Sequence, residues 1–299
     1  MRDRIQTRCL SSDIGRVRRY YRECRSSIGG QVNDHSERPT ILMVHGAFSG
    51  GWAFEKFKPF FEARGYRCLT PDLRYHDARP NHAPNPKLGQ TSLRDYLHDL
   101  RQQIDALDAQ PVLMGHSMGG LLCQMLAARG YGKAMLLLAP SPPAGILPST
   151  PFEFFSSASI WASGVGWGQT VMPDYHIASQ HSLDHLPRPD RHRILARLVP
   201  ESGCAMHEIL CWALDPNNTA RVDSRKVKIP VLAVAGGKDP INPPATVRQI
   251  ARRYGRKGKF RNFHGCSHWL IEGPRWHEIA EFCAEWLDDQ PELALQAAE

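Results

Sequence analysis

From Thr40 onward, short apolar runs alternate along the chain with amphipathic segments of helix length. Each run is a nearly continuous apolar block, as expected for a strand that is covered on both faces of a parallel sheet. The runs are residues 41–44, 68–70, 112–114, 134–138 and 231–235. Strands that alternate with helices form βαβ units, so the pattern predicts an α/β fold with a doubly wound, mainly parallel sheet.

The segments between the runs carry helix signals. Thr91 or Ser92 can cap a helix whose apolar residues recur at three- and four-residue steps up to residue 107. Two further predicted helices, at residues 54–64 and 117–129, end just before Gly65 and Gly130, and glycine suits a helix C-terminus. A final apolar stripe at residues 276–287 predicts the last helix.

Two regions interrupt the alternation. Residues 1–38 are polar and basic, and we expect an N-terminal arm in which residues 16–24 can form an edge strand. Residues 141–227 are rich in Pro, Ser and Trp. A structureless loop of that length is rare in a compact domain, so we expect an inserted, mostly helical cap. The predicted core is therefore residues 39–140 and 228–299.

A G-x-S-x-G motif joins a predicted strand to a predicted helix. Residues 111–120 read PVLMGHSMGG, with Ser117 between Gly115 and Gly119. Such a sharp bend strains the serine backbone and lifts its hydroxyl from the sheet, and side chains at the two glycine positions would collide. The serine also lies at a helix N-terminus, which favours developing negative charge. An ordinary helix-capping serine is the alternative.

These residues resemble the α/β-hydrolase family from Thr40 to the last helix, apart from the inserted segment. Residues 44–52, VHGAFSGGW, are particularly similar to small esterases and their lyase relatives. Residues 71–74, PDLR, resemble the PDLRG-type turn of the family, with Tyr75 in place of the glycine. The resemblance implies that the backbone N–H groups of Ala47 and Met118 form an oxyanion hole, in which one donor can be worth about 3–4 kcal/mol.

A serine nucleophile needs a base and an acid that orients the base. The family supplies them in the chain order Ser, Asp, His. Asp239 follows the strand at 231–235, and His268 lies in a loop after the strand at 260–263. Both positions follow a strand, where open α/β sheets bind ligands. We therefore expect Asp239 and His268 to act with Ser117. Other candidates are Asp215 and Asp223 for the acid and His264 for the base.

The remaining histidines and aromatic residues carry weaker expectations. We expect His45 and His116 to support loops through hydrogen bonds and His277 to lie on the surface. A metal site needs convergent ligands, and we expect none at the histidines and aspartates of the cap, namely Asp174, His176, His181, Asp184 and His185. Four aromatic residues are candidates for an apolar substrate pocket: Phe48, Trp161, Trp167 and Trp269. The aromatic residues of the insertion could equally form a small core of the cap itself.

The motifs predict a serine hydrolase, without a cofactor, that cleaves a carboxylic ester of a small or medium apolar substrate through an acyl-enzyme. The same triad also serves lactonases, thioesterases, amidases, carbon–carbon bond hydrolases, perhydrolases and hydroxynitrile lyases, and these alternatives stay open, as does a binding-only receptor. Serine at the nucleophile position argues against haloalkane dehalogenases and epoxide hydrolases, which use aspartate there.

Composition excludes other classes of function. The net charge is +7, but no aromatic-basic motif or recognition helix accompanies it, so we expect no nucleic-acid partner. The longest apolar stretch, residues 134–140, is much shorter than the roughly 20 residues of a membrane span. Eight cysteines without a CxxC pair, and no apolar run of signal-peptide length near the start, favour a cytoplasmic location. We expect a small-molecule ester as partner and leave a homodimer open.

Overall fold

The computed structural model describes residues 38–77, 83–154 and 168–293. Six strands of this part form one parallel sheet, in the order β2-β1-β3-β4-β7-β8. Their bounds are β1 Ile41–Val44, β2 Cys68–Leu69, β3 Val112–His116, β4 Ala134–Leu138, β7 Val231–Gly236 and β8 Gly258–Phe263. The predicted α/β class is confirmed. β3 continues two residues beyond its predicted end and so reaches the G-x-S-x-G motif.

Eight α-helices lie wholly within the described part of the chain. They are α1 Phe57–Glu62, α2 Leu93–Asp105, α3 Met118–Ala127, α4 Tyr175–Ile177, α5 Arg188–Leu195, α6 Gly203–Leu210, α7 Pro244–Arg252 and α8 Trp276–Asp288. Residues 151–154 are also helical. Ser92 caps α2, with Asp95 completing a capping box, so Ser92 and not Thr91 fulfils the predicted role. No helix of this part is long and apolar enough to cross a bilayer.

The sheet separates two hydrophobic clusters because successive strand residues face opposite sides. Leu42 and Val44 of β1 belong to the cluster that contains α2, α3 and α7. Ile41 and Met43 belong to the other cluster, which contains α1 and α8. Helices therefore cover both faces, and the buried strands explain the nearly continuous apolar runs in the sequence.

The segment between β4 and β7 is the longest connection between two neighbouring strands of the sheet. It holds α4, α5, α6 and a two-stranded antiparallel sheet of β5 (Thr170–Val171) and β6 (Glu201–Ser202). We refer to residues 141–227 as the insertion; its standing as a separate cap, with the core at 39–140 and 228–299, stays a prediction. Residues 155–167 and almost all of the N-terminal arm at 1–38, with its edge strand, lie outside the described residues.

Candidate active site

Ser117 lies at the bend between β3 and α3 in a strained backbone conformation, with φ +53° and ψ −121°. A non-glycine residue rarely adopts positive φ, since its Cβ then crowds the backbone. Ser117 occupies the N-cap position of α3, yet its side chain makes no capping hydrogen bond. The alternative of an ordinary helix-capping serine is therefore wrong, and the hydroxyl is not engaged in holding the helix.

The glycines of the motif allow the bend to pack against β1. A Cβ on Gly115 would lie 2.6 Å from the backbone nitrogen of Gly120. A Cβ on Gly119 would lie 2.5 Å from the carbonyl oxygen of His45 and would overlap that of Val44. These distances are shorter than any van der Waals contact, so both positions require glycine.

Asp239 and His268 form a buried hydrogen-bonded pair after β7 and β8. His268 Nδ1 donates to Asp239 Oδ2 over 2.8 Å, since a carboxylate oxygen only accepts. Asp239 Oδ1 accepts from the N–H groups of Ile241 at 2.8 Å and Asn242 at 3.0 Å. These bonds fix the carboxylate, and the carboxylate fixes the ring tautomer of His268, in which Nε2 carries a lone pair.

A second histidine joins the His268 loop to the bend at Ser117. His116, which precedes Ser117, donates from Nε2 to the carbonyl oxygen of His268 over 2.9 Å, and the two rings lie 4.9 Å apart. Burial, with a smaller effect of His268, lowers the pKa of His116 to about 3. His116 is therefore neutral at physiological pH and supports the loop, as expected.

The loop after β1 presents a fixed peptide beside Ser117. The carbonyl oxygen of Gly46 accepts from His45 Nδ1 at 2.8 Å and from Ser49 Oγ at 2.9 Å. Because a trans peptide is planar, the N–H of Ala47 points the opposite way. A Cβ on Gly46 would lie 2.9 Å from Cβ of Ser117, so this loop packs directly on the serine.

His45 keeps this loop in place as a neutral ring. Its Nε2 accepts from the N–H of Leu73 over 2.9 Å while Nδ1 donates to Gly46. Burial, and then the nearby His76, lower the pKa of His45 to about 3. Met118 begins α3, so its N–H has no acceptor within the helix. The Gly46 loop packs on Ser117 and Met118 follows Ser117 directly, and the oxyanion hole of Ala47 and Met118 stays a prediction.

The rival candidates have other partners. Asp215 accepts from the N–H groups of Asn217 and Thr219 in its own turn, and Asp223 pairs with Arg225. His264 is exposed, and His277 lies beside Glu281 on the exposed face of α8. Within the described ranges, no group of three or more His, Cys, Asp or Glu side chains could hold a metal ion.

Two of the four predicted pocket residues lie in the described part. Trp269 is buried, 5.4 Å from the ring of His116 and 5.9 Å from that of Trp52. Phe48 is partly buried beside the Ala47 peptide. Trp161 and Trp167 lie outside the described residues. Trp52 was not predicted as a pocket residue, although it is the last residue of the VHGAFSGGW segment and so follows the loop at Ala47 closely.

The chain matches the model of the Alpha/beta hydrolase family over residues 41–282. It is 32% identical to the pimeloyl-[acyl-carrier protein] methyl ester esterase of Neisseria meningitidis serogroup B over 71% of this chain and 80% of that protein. It is 34% identical to the pyrethroid hydrolase of Sphingobium wenxiniae over 72% of this chain and 76% of that protein. The structure of a pyrethroid hydrolase from Sphingobium faniae superposes with a TM-score of 0.62 at 22% identity, covering 85% of this chain and 99% of that chain, and so shares the fold.

Proposed function

The chain is an ester hydrolase that belongs to the α/β-hydrolase family, and from this premise we propose that it works through an acyl-enzyme on Ser117. His268 Nε2 takes the proton of the Ser117 hydroxyl, and Oγ attacks the ester carbonyl. The N–H groups of Ala47 and Met118 stabilise the oxyanion. His268 then gives its proton to the leaving alcohol, whose C–O bond breaks as the acyl group stays on Oγ.

Water completes the cycle. His268 Nε2 removes a proton from a water molecule, which attacks the acyl carbon and displaces Ser117 Oγ. Asp239 stabilises the imidazolium of His268 in both half-reactions and stays ionised throughout. The acid product and the free serine result, so no cofactor takes part in the proposed cycle.

The single observation that carries this proposal is the pairing of His268 with Asp239. The carboxylate holds the proton of His268 on Nδ1, so that Nε2 is left to accept one. The base loop is bonded to the residue that precedes Ser117, and the strained serine makes no capping bond to its helix. Acyl transfer needs a base with a lone pair and a nucleophilic hydroxyl. His268 supplies the lone pair at Nε2, and the hydroxyl of Ser117 is not used to cap its helix.

The aromatic rings around the site favour an apolar ester of small or medium size. Trp269 and Trp52 lie close together, and Phe48 follows the Ala47 donor directly. Apolar walls with few polar groups are typical of small-molecule sites. The names of the similar proteins, a methyl ester esterase and a pyrethroid hydrolase, support a small-molecule ester in the same way.

Hydrolysis of p-nitrophenyl esters of short and long acyl chains by wild type and Ser117→Ala tests the proposal. We expect turnover by the wild type and a loss of several orders of magnitude in the variant, because the nucleophile is gone. Circular dichroism of both proteins provides the folding control. Turnover by Ser117→Ala within about ten-fold of the wild type would refute the proposed role of Ser117.

A further inference from the structure

One short segment of the insertion contacts the loop that carries the Ala47 N–H at two places, and it contacts His76, which lies beside that loop, at a third. We call residues 197–201 the clamp segment and residues 45–55 the oxyanion loop. The proposed mechanism so far assigns no role to the clamp segment. The three contacts are a backbone hydrogen bond to Phe48, a pair of side-chain contacts with Trp52 and Glu55, and an ion pair with His76.

The first contact is a backbone hydrogen bond at the residue after Ala47. The N–H of Val199 donates to the carbonyl oxygen of Phe48 over 3.0 Å. Phe48 has φ +62°, a left-handed conformation that its Cβ disfavours. A strained conformation of this kind persists only where the surroundings hold it. The clamp segment therefore helps to keep the peptide next to Ala47 in place.

The second contact lies at the far end of the oxyanion loop. The guanidinium of Arg197 lies 4.3 Å from the ring centroid of Trp52 and 2.6 Å from Oε1 of Glu55. Both charged groups are partly exposed, so each interaction by itself is weak. Together they tie the clamp segment to the short 3-10 helix at Gly51–Phe54 that ends the loop.

The third contact is a buried ion pair. Oε2 of Glu201 lies 2.9 Å from Nε2 of His76, and both side chains are fully buried. The other ring nitrogen, Nδ1, lies 3.0 Å from the carbonyl oxygen of Arg74. Because both nitrogens face oxygen atoms that accept, the ring of His76 carries two protons and a positive charge.

The partners of the ion pair support its charged form. Glu201 Oε1 accepts from the hydroxyl of Tyr96 and from the N–H of Ser202, each over 2.7 Å. Burial disfavours both charges, but their mutual attraction and these hydrogen bonds outweigh it. The pKa of His76 is therefore raised, with a smaller contribution from Asp72, and the pKa of Glu201 is lowered.

His76 transmits this contact to the oxyanion loop through His45. The two rings lie 5.2 Å apart, and His76 helps to keep His45 neutral. Only the tautomer of His45 with a proton on Nδ1 can donate to Gly46 and accept from Leu73 at the same time. His76 therefore helps to fix the hydrogen bond from His45 to the carbonyl oxygen of Gly46, and this bond orients the peptide that carries the Ala47 N–H.

We propose that Glu201 and Arg197 are positioning residues for the reaction, because the clamp segment holds the oxyanion loop with the Ala47 N–H aimed at the developing oxyanion. This proposal rests on the proposed function. The insertion then contributes to the chemical step itself, and not only to the shape of the pocket. A misplacement of about 1 Å at the reacting centre can cost about 100-fold in rate, even when its cause lies far from the chemistry.

The test compares Glu201→Gln and Arg197→Gln with Glu208→Gln. Glu208 is a matched control because it too is a buried carboxylate of the insertion bonded to the core, through Ser92 Oγ and the N–H of Leu93, both at 2.7 Å. Gln at 201 can keep the bonds to Tyr96 and Ser202 while it removes the charge. Active sites are titrated to completion with a fluorophosphonate, so that kcat refers to folded enzyme only.

For Glu201→Gln we expect kcat to fall about 10- to 100-fold with KM within about three-fold of the wild type. A smaller fall, about three-fold, is expected for Arg197→Gln, because its contacts are partly exposed. The affinity for a trifluoromethyl ketone, which forms an oxyanion on the serine, should fall by the same factor as kcat/KM. Glu208→Gln should keep the wild-type kcat per active site.

Three results would each overturn the proposal. They are a kcat per active site for Glu201→Gln equal to that of Glu208→Gln, a change in KM alone, and an unchanged exchange rate of the His45 Nδ1 proton. Nitrogen-15 NMR of the histidine rings adds a readout that needs no turnover: the Nδ1 proton of His45 should exchange faster in Glu201→Gln than in the wild type. If the wild type failed to hydrolyse esters, the proposed function would be wrong, while unchanged exchange would separately refute the clamp.

Discussion

Asp239→Asn changes one atom in the candidate site and should change the tautomer of the base. Asp239 Oδ1 accepts two backbone N–H groups, from Ile241 and Asn242, so the amide oxygen of the new side chain is held there. The amide NH2 must then face Nδ1 of His268 in place of Oδ2. Since two donors cannot bond to each other, His268 moves its proton to Nε2 and can no longer accept one from Ser117.

The size of the effect follows from this exchange of tautomers. The wrong tautomer in a triad of this type lowers kcat by about 10⁴, which corresponds to about 5.5 kcal/mol of transition-state stabilisation. The two bonds from the backbone remain and the bond to His268 is kept with its direction reversed, so the variant should fold. The assay is single-turnover hydrolysis of a p-nitrophenyl ester, normalised to folded protein by near-UV circular dichroism.

Asp215→Asn is the matched control. Asp215 is also a buried aspartate that accepts two backbone N–H groups, from Asn217 and Thr219, but on different oxygens. In Asp215→Asn the new NH2 faces one of these two backbone N–H groups, and two donors cannot bond to each other. The substitution should therefore lower the free energy of unfolding, while kcat of the folded protein stays unchanged. A kcat for Asp239→Asn within about ten-fold of the wild type, or an equal loss in Asp215→Asn, would refute the reasoning.

Two further predictions concern the bend and its histidines. Gly119→Ala should lower the free energy of unfolding, measured in urea, by about 3 kcal/mol, because the new Cβ meets backbone atoms at the end of β1. Gly130→Ala is the control: its φ is +90° but the space around it is open, so the substitution should cost only about 1–2 kcal/mol. Equal costs for the two variants would contradict the packing argument. The pKa values of His45 and His116 are lowered to about 3, so below pH 6.5 each ring binds a proton in the unfolded state before it does so in the folded state. The free energy of unfolding should therefore decrease as the pH falls from 6.5 towards 3, and the loss at pH 5 should be about 2 kcal/mol per ring. Ring titration by NMR tests this, and a midpoint above pH 6 in the folded protein for either ring would contradict it.

The sheet and the positions of Ser117, Asp239 and His268 could be predicted because their signals are local. Buried parallel strands give apolar runs, and the bend at Ser117 needs glycine at two positions where a Cβ meets backbone. Asp239 and His268 follow β7 and β8, and the ends of parallel strands meet at one edge of the sheet. The chain order implied by the resemblance to the family was also used, and only the structure separates Asp239 and His268 from the rivals Asp215, Asp223 and His264.

The clamp segment could not be predicted, because its signals are not local. Glu201 and His76 are separated by 125 residues, and nothing near either residue marks it as buried. The insertion also has short elements, such as the three residues of α4 and the two of β6, which leave no periodic pattern to recognise. Polar residues of this kind become buried only through their tertiary partners.

The acyl-enzyme on Ser117 is the central claim, and its direct observation is the decisive measurement. The wild type is mixed with p-nitrophenyl acetate, quenched in acid within the first turnovers, and analysed by peptide mass spectrometry. We predict one acetyl group on the peptide that contains Ser117, and none after the same treatment of Ser117→Ala. Continued ester hydrolysis with an unmodified Ser117 peptide, or acetyl groups on another residue in both proteins, would contradict the account.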